Sequence, residues 1–338
     1  MENVIEIAKR LGFDATSAKP FGSGHINDTF KVETSDAPVI LQKINTDIFK
    51  DADGMMDNIK KVTEHIASIG KTTYKVLAYE KPWRALSYIE GAHSVDVIEE
   101  PAQAYTAGAA FGAFQNDLAS FQASDLVETI PKFHNTLWRL EELDKAAKAD
   151  KLDRLKNVKA EMSFVDKYRS QAGKILNLMD AGIIPVRITH NDTKINNVML
   201  DDATGEAIAV VDLDTVMPGC ALYDFGDMVR TATASAAEDE KDLSKVYSKI
   251  DYFEALVKGY LSQAKFLNRA EIENLVFSGI LITFTIGIRF LADYLAGDVY
   301  FKTDYDDHNL VRARTQFKMI ESIESQRDNF EKIVKESV

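Results

Sequence analysis

A single strand–turn–strand pattern lies at 198–211, inside a chain that otherwise reads as helix from about residue 94 onward. Val198-Met-Leu-Asp201 and Ile208-Ala-Val-Val211 are strand-like, and Asp202-Ala-Thr-Gly205 between them is a strong turn segment. An antiparallel hairpin centred between Thr204 and Gly205 sets Asn197 opposite Asp212 at its open end. Asp192 lies on the loop that enters the first strand. The spacing therefore gathers one carboxamide and two carboxylates next to apolar strand, where a charge without compensation is costly.

The first ninety residues have a different character. Short runs rich in β-branched and aromatic residues occur at 30–33, 39–44, 75–79 and 84–89, separated by Gly22-Ser-Gly24, Ser35-Asp36 and Lys81-Pro82. A helical stretch at 52–69 ends at Gly70, and another opens the chain at 1–13. These features predict an α+β fold of two lobes: a small antiparallel β-rich N-lobe over 1–90, a hinge at 88–91, and a large mainly helical C-lobe over 91–338. The 338 residues exceed the usual size of one compact core, which also favours two domains sharing a cleft.

Composition removes several classes of function. Lysine and arginine number 40 against 53 acidic residues, a net charge of −13, which argues against a general nucleic-acid or anionic-membrane surface. The uncharged stretch 275–288 is shorter than the roughly 20 residues of a membrane span and reads as a buried core helix. The N-terminus lacks a signal-peptide pattern, so the expectation is a soluble, cytoplasmic protein. Cys220 is the one cysteine and reads as a small structural residue beside Pro218 and Gly219.

The island Ile188-Thr-His190-Asn-Asp192-Thr-Lys194-Ile-Asn196-Asn197, followed by Val-Val-Asp212-Leu-Asp214, contains what phosphoryl transfer requires. One carboxylate orients the acceptor hydroxyl and takes its proton, while an Asn and an Asp hold Mg²⁺ against the nucleotide phosphates. Oxygen ligands suit Mg²⁺. His190-Asn-Asp192 with Asn197 and Asp212 resembles the catalytic and metal loops of the aminoglycoside phosphotransferase and choline kinase superfamily. That resemblance implies a protein-kinase-like fold with ATP as phosphoryl donor. It also implies that Asp192 is the catalytic base, that Asn197 and Asp212 bind Mg²⁺, and that Asp214 assists at the metal. Asp224, in Tyr223-Asp-Phe-Gly-Asp227, looks like the buried aspartate that braces the catalytic loop, and His190 like a loop-shaping residue.

A closer likeness spans nearly the whole chain. Gly22-Ser-Gly-His25-Ile-Asn27-Asp-Thr29, Thr189-His-Asn-Asp-Thr-Lys194, Asp212-Leu-Asp-Thr-Val-Met-Pro-Gly219 and Arg289-Phe-Leu-Ala-Asp-Tyr-Leu resemble the N-acetylhexosamine 1-kinases. So do Gly297-Asp-Val-Tyr300-Phe and His308-Asn-Leu-Val-Arg312. The resemblance implies ATP-dependent phosphorylation of the anomeric hydroxyl of N-acetylglucosamine or N-acetylgalactosamine, with His25, Arg289 and Tyr300 lining the sugar site.

On the nucleotide side, Gly22 and Gly24 offer bare backbone to phosphates, and Tyr88 and Glu90 fall in the hinge that would meet adenine. The strand Ile40-Leu-Gln-Lys-Ile44 presents either Gln42 or Lys43 inward, since alternation allows only one of them. Glu64 is the candidate helix partner for a strand cation. On the acceptor side, Arg289 closes an uncharged helical stretch and pairs either with Asp293, four residues on, or with a ligand. Two other functions fit the same residues: transfer to a different hydroxyl acceptor (an amino alcohol, homoserine, methylthioribose or an aminoglycoside), and a non-catalytic, pseudokinase-like binding module.

Overall fold

The computed structural model describes residues 3–22 and 26–338; Gly24 and His25 of the glycine-rich segment lie outside them. Five antiparallel strands form the first sheet: β1 Ala15–Pro20, β2 Asp28–Thr34, β3 Val39–Lys43, β4 Val76–Glu80 and β5 Trp83–Ser87, in the order β1-β2-β3-β5-β4. β1 is absent from the sequence reading because Ala-Thr-Ser-Ala-Lys-Pro has little strand propensity. It is an edge strand, made by its pairing to β2 from Ala15–Thr34 to Pro20–Phe30.

Alternation along the strands builds one core. Val32, Val39, Leu41, Trp83 and Ala85 point to one face, where Ile7 and Ala8 of helix α1 (Val4–Arg10) close over them. Helix α2 (Ala52–Ser68) is capped by Asp51, whose side chain accepts from Gly54 N–H at 2.9 Å. Met55, Ile59, Val62 and Ile66 recur along α2 at helical spacing and are buried.

The hairpin is present with a different register. Val198–Asp201 pairs with Ala207–Val210, but Val198 faces Val210 and the pairing slips between Met199 and Leu200. Asn197 therefore lies opposite Val211, whose N–H donates to the Asn197 carbonyl at 2.9 Å, and Asp212 is one residue further out. Two local effects set the observed register, the turn moving it by two residues and the slip restoring one. The Asp201 carboxylate gathers the N–H groups of Ala203 and Thr204 into a turn that Gly205, with φ +72°, completes. The slip then adds one residue to the returning strand.

The chain divides into two compact units, the first made of residues 1–95, 117–131 and 196–218, the second of 96–116, 132–195 and 219–338. The hairpin belongs to the first unit. In the second, the helix Leu275–Ala296 is the centre, packed on the helices Thr136–Ala149, Ala221–Ala232 and His308–Ser325. It is long and apolar enough to cross a membrane, yet its residues are buried inside the protein. Gly226 makes one of these contacts possible: a Cβ there would fall 2.3 Å from the Ser278 carbonyl.

Candidate active site

Asp192 lies in the second unit, on a loop whose backbone is held from below. Helix Ala221–Ala232 is buried along nearly its whole length and carries Asp224 and Asp227 three residues apart, on one face. The Asp224 carboxylate accepts the N–H groups of His190 (2.8 Å) and Asn191 (2.7 Å) and the amide of Gln115 (2.7 Å). Asp227 accepts from Thr193 N–H at 3.1 Å, and the Thr193 hydroxyl donates to the Asp224 carbonyl at 2.7 Å. Asn191 takes a left-handed turn (φ 66°), a conformation Asn tolerates better than most residues, and His134 bonds its carbonyl at 3.2 Å. His190 packs edge-on against Phe111 and Phe114, and its Nδ1 accepts from Asp192 N–H at 3.3 Å. Burial pushes the Asp224 carboxyl up to about 7 against the pull of its three donors.

The charge on Asp192 is set by its neighbours. Burial disfavours its carboxylate, but the Lys194 ammonium at 2.9 Å, with His190 and Arg230 beyond, holds it below the usual carboxylate range. Lys194 is raised in turn, first by Asp192. The arrangement suits a group that must stay ionised to orient a hydroxyl and receive its proton.

Asn197 and Asp212 are at the open end of the hairpin in the first unit. Asn197 is buried, whereas Asp212 is exposed and adopts φ 59°, a left-handed backbone uncommon outside glycine. The described residues contain no group of three or more His, Cys, Asp or Glu suited to a metal cage. A carboxamide oxygen plus one exposed carboxylate fits Mg²⁺, which commonly takes one or two protein carboxylates and completes its shell with phosphate and water.

Asp214 is engaged elsewhere. Its carboxylate lies 2.6 Å from Arg84 Nη1 and accepts from the Asn27 amide at 2.7 Å, and both charged side chains are almost wholly buried. Burial lowers the Arg84 guanidinium, but Asp214 carries it above its ordinary value. Arg84 also donates through Nε to Gln42 Oε1 at 2.8 Å, and Gln42 Nε2 donates to the Thr29 hydroxyl at 3.0 Å. This answers the alternation on β3. Gln42 is opposite Arg84 across the ladder and shares its face, while Lys43 lies toward the Trp83 ring, 5.7 Å away. The buried cation of this sheet comes from β5, not β3. Glu64 is not its partner, because it is on the exposed side of α2 with Lys60 at 3.9 Å. The α2 atom that meets Arg84 is the Met56 sulfur, at 3.6 Å.

The remaining nucleotide-side candidates stand apart from this network. Gly22 has φ +77°, a value open to glycine, and Phe21 beside it packs edge-on to Tyr88 at 6.0 Å. Lys31 sits 4.2 Å over the Tyr88 ring, and Glu90 is exposed.

Arg289, in the second unit, does not pair with Asp293. That carboxylate accepts from the N–H groups of Val299, Tyr300 and Phe301 at 2.8–2.9 Å and from the Asn309 amide at 2.9 Å, so it shapes the 299–301 turn. The Arg289 guanidinium instead faces the rings of Phe133 (5.0 Å), Phe301 (5.5 Å) and Tyr300 (5.8 Å).

A family model described as a phosphotransferase enzyme family matches residues 17–255. The chain belongs to that phosphotransferase family. Solved structures agree on the fold. The phosphotransferase is similar to a choline kinase from Cryptosporidium parvum (14% identity, 96% of each chain, TM-score 0.60). It is also similar to an ethanolamine kinase from Plasmodium vivax (15%, 89% of this chain and 82% of that one, TM-score 0.59). The ADP-bound aminoglycoside phosphotransferase APH(2'')-Ib matches as well (13%, 95% and 99%, TM-score 0.57). The small antiparallel β-sheet and the large helical region expected from the sequence are those of this kinase-like fold.

Three groups of this phosphotransferase escape sequence reasoning: Arg84, the Asp227–Arg230 pair at 2.9 Å, and Arg139. Arg84 leaves one faint trace, a charge in the otherwise apolar run Trp83-Arg-Ala-Leu86.

Proposed function

We propose that this phosphotransferase transfers the γ-phosphoryl group of ATP to the anomeric hydroxyl of an N-acetylhexosamine, releasing ADP and the sugar 1-phosphate. The observation that carries the reading is Asp192, kept ionised by Lys194 at 2.9 Å on a loop whose N–H groups are pinned by Asp224 and Asp227. In the proposed reaction Asp192 accepts a hydrogen bond from the sugar hydroxyl and takes its proton as oxygen bonds to phosphorus. Asn197 and Asp212 are the residues proposed to hold Mg²⁺, which would neutralise charge on the phosphates. Asp214, tied to Arg84 and Asn27, is proposed to steady the segment that bears Asp212 instead of ligating metal.

The sugar assignment rests on the motifs shared with N-acetylhexosamine 1-kinases and on the surroundings of Arg289. The guanidinium suits a neutral, oxygen-rich acceptor and would repel an ammonium. The relatives named for choline, ethanolamine and aminoglycosides supply the competing reading, in which the acceptor is an amine-bearing alcohol. An ADP-release assay across N-acetylglucosamine, N-acetylgalactosamine, glucose, choline, ethanolamine and an aminoglycoside separates the two. Turnover confined to amine acceptors refutes the sugar reading, and nucleotide binding without turnover on any of them refutes it too and favours the non-catalytic module.

A further inference from the structure

Two guanidiniums in the second unit converge on one phenylalanine without a carboxylate between them. Arg139, on the helix Thr136–Ala149, donates from Nε (3.3 Å) and Nη2 (3.1 Å) to the Phe133 carbonyl, and its guanidinium stacks 4.5 Å over Trp138. Arg289 covers the ring of the same Phe133. Both side chains are half-buried. The carboxylates that act on them electrostatically are Glu142, on Arg139, and Asp227, on Arg289, and Asp227 lies 2.9 Å from Arg230. The carboxylates that might have served are used: Asp293 by three backbone N–H groups and Asn309, and Asp227 by Arg230 at 2.9 Å.

Half-buried arginines normally find an acid, because desolvating a guanidinium costs free energy that a partner must offset. Here Arg289 adds to the cost of the Arg139 charge, and Arg230 to that of Arg289. Burial, then Arg289, pulls Arg139 down to about 9, and burial likewise lowers Arg289. Ring faces, the Phe133 carbonyl on the Nε–Nη2 edge of Arg139 and the Tyr300 side chain on Arg289 offset part of this cost, but none of them carries the negative charge of a paired carboxylate.

We propose that Arg139 and Arg289 form a recognition subsite for a carbonyl- or carboxylate-bearing substituent of the acceptor, and that their uncompensated charge excludes acceptors carrying an ammonium there. This rests on the acceptor reading above and adds Arg139 to it as a specificity-determining residue. The acetamido oxygen of an N-acetylated sugar satisfies the forks, whereas the ammonium of the matching amino sugar meets two like charges.

The test compares N-acetylglucosamine, glucosamine and glucose as acceptors for the wild type, Arg139→Met, Arg139→Lys and Arg289→Met. The wild type should show a KM for glucosamine at least about 30-fold above that for N-acetylglucosamine, the size expected for a misplaced buried charge. Arg139→Met should raise the KM for N-acetylglucosamine about tenfold, leave that for ATP within about twofold, and narrow the gap to glucosamine. Arg139→Lys keeps the charge without the fork, so it should still reject glucosamine while binding N-acetylglucosamine more weakly. Calorimetric titration of the two sugars in the presence of Mg·ADP reads binding apart from turnover, and melting curves show whether each variant is folded. Equal use of N-acetylglucosamine and glucosamine by the wild type overturns the subsite and leaves the kinase reading intact. So does a folded Arg139→Met whose KM values for sugar and ATP are unchanged or rise together. Turnover of amine acceptors alone overturns both.

Discussion

Arg84→Met should destabilise the protein by about 3–5 kcal/mol, the usual cost of removing one partner of a buried ion pair. The Asp214 side chain is 4% exposed, and once Arg84 is gone its hydrogen-bond donor is the Asn27 amide. Gln42 loses its Nε–H donor as well. Methionine nearly matches the aliphatic stem and would sit beside Met56, so lost packing contributes less than about 1 kcal/mol. With a urea slope of about 1–3 kcal/mol per molar, the unfolding midpoint should fall by 1 M or more. The double variant Arg84→Met/Asp214→Asn removes both charges and should recover most of the loss, giving a coupling energy of about 2–3 kcal/mol. Equilibrium urea unfolding of the four proteins in this cycle measures that energy. A loss below about 1 kcal/mol in Arg84→Met, or strict additivity in the cycle, would refute the claim that a buried Arg84–Asp214 pair organises the metal-side segment.

Other predictions concern chemistry and pH. Asp192→Asn should leave Mg·ADP binding by calorimetry within about threefold while kcat falls by two or more orders of magnitude; near wild-type turnover would remove Asp192 from the mechanism. Because Lys194 holds the Asp192 carboxyl below its usual range, kcat/KM should show no loss from that group as pH falls from 7 to about 5, where Asp192→Glu provides the comparison. His134 gives a stability signature of definite sign. Burial lowers it to about 4 from an ordinary 6.5, so the unfolded chain binds the extra proton between those values. Stability is therefore full above pH 6.5 and declines as pH falls to 4, by up to about 3 kcal/mol, and His134→Gln should flatten that limb in urea titrations across pH. Asp212→Asn should raise the Mg²⁺ concentration needed for half-maximal activity about tenfold or more, with EDTA abolishing turnover of the wild type; a metal response equal to wild type would take Asp212 out of the metal site.

The readable part of this protein was the part written in short-range pattern. Alternation and turn chemistry located β2 to β5 and the hairpin, helical spacing located α2 and the long core helix, and the proposed catalytic and metal residues come from motif likeness. What failed did so for identifiable reasons. β1 is an edge strand that exists through its neighbour's hydrogen bonds, so its own residues carry little signal. The hairpin register depended on an Asx turn that moves it by two residues and a slip that restores one, and a one-residue change decides which side chain faces Asn197. The pairing of Arg289 with Asp293 followed helix spacing alone, which cannot register that three backbone N–H groups compete for the same carboxylate.

Asp192, Asn197 and Asp212 are local: their neighbourhood follows from spacing along the chain, because a loop and a hairpin arise from consecutive residues, and their proposed roles come from the family resemblance. Lys194, which holds Asp192 ionised, is local too, but the groups that brace these segments and surround the acceptor candidates are not. Arg84 lies 130 residues from Asp214, Asp224 is 34 from His190, and Arg139 is 150 from Arg289 in the chain. Sequence names the side chains that can do the chemistry. Tertiary structure decides which charges are compensated, because burial and partnership depend on which distant segments the core brings into contact.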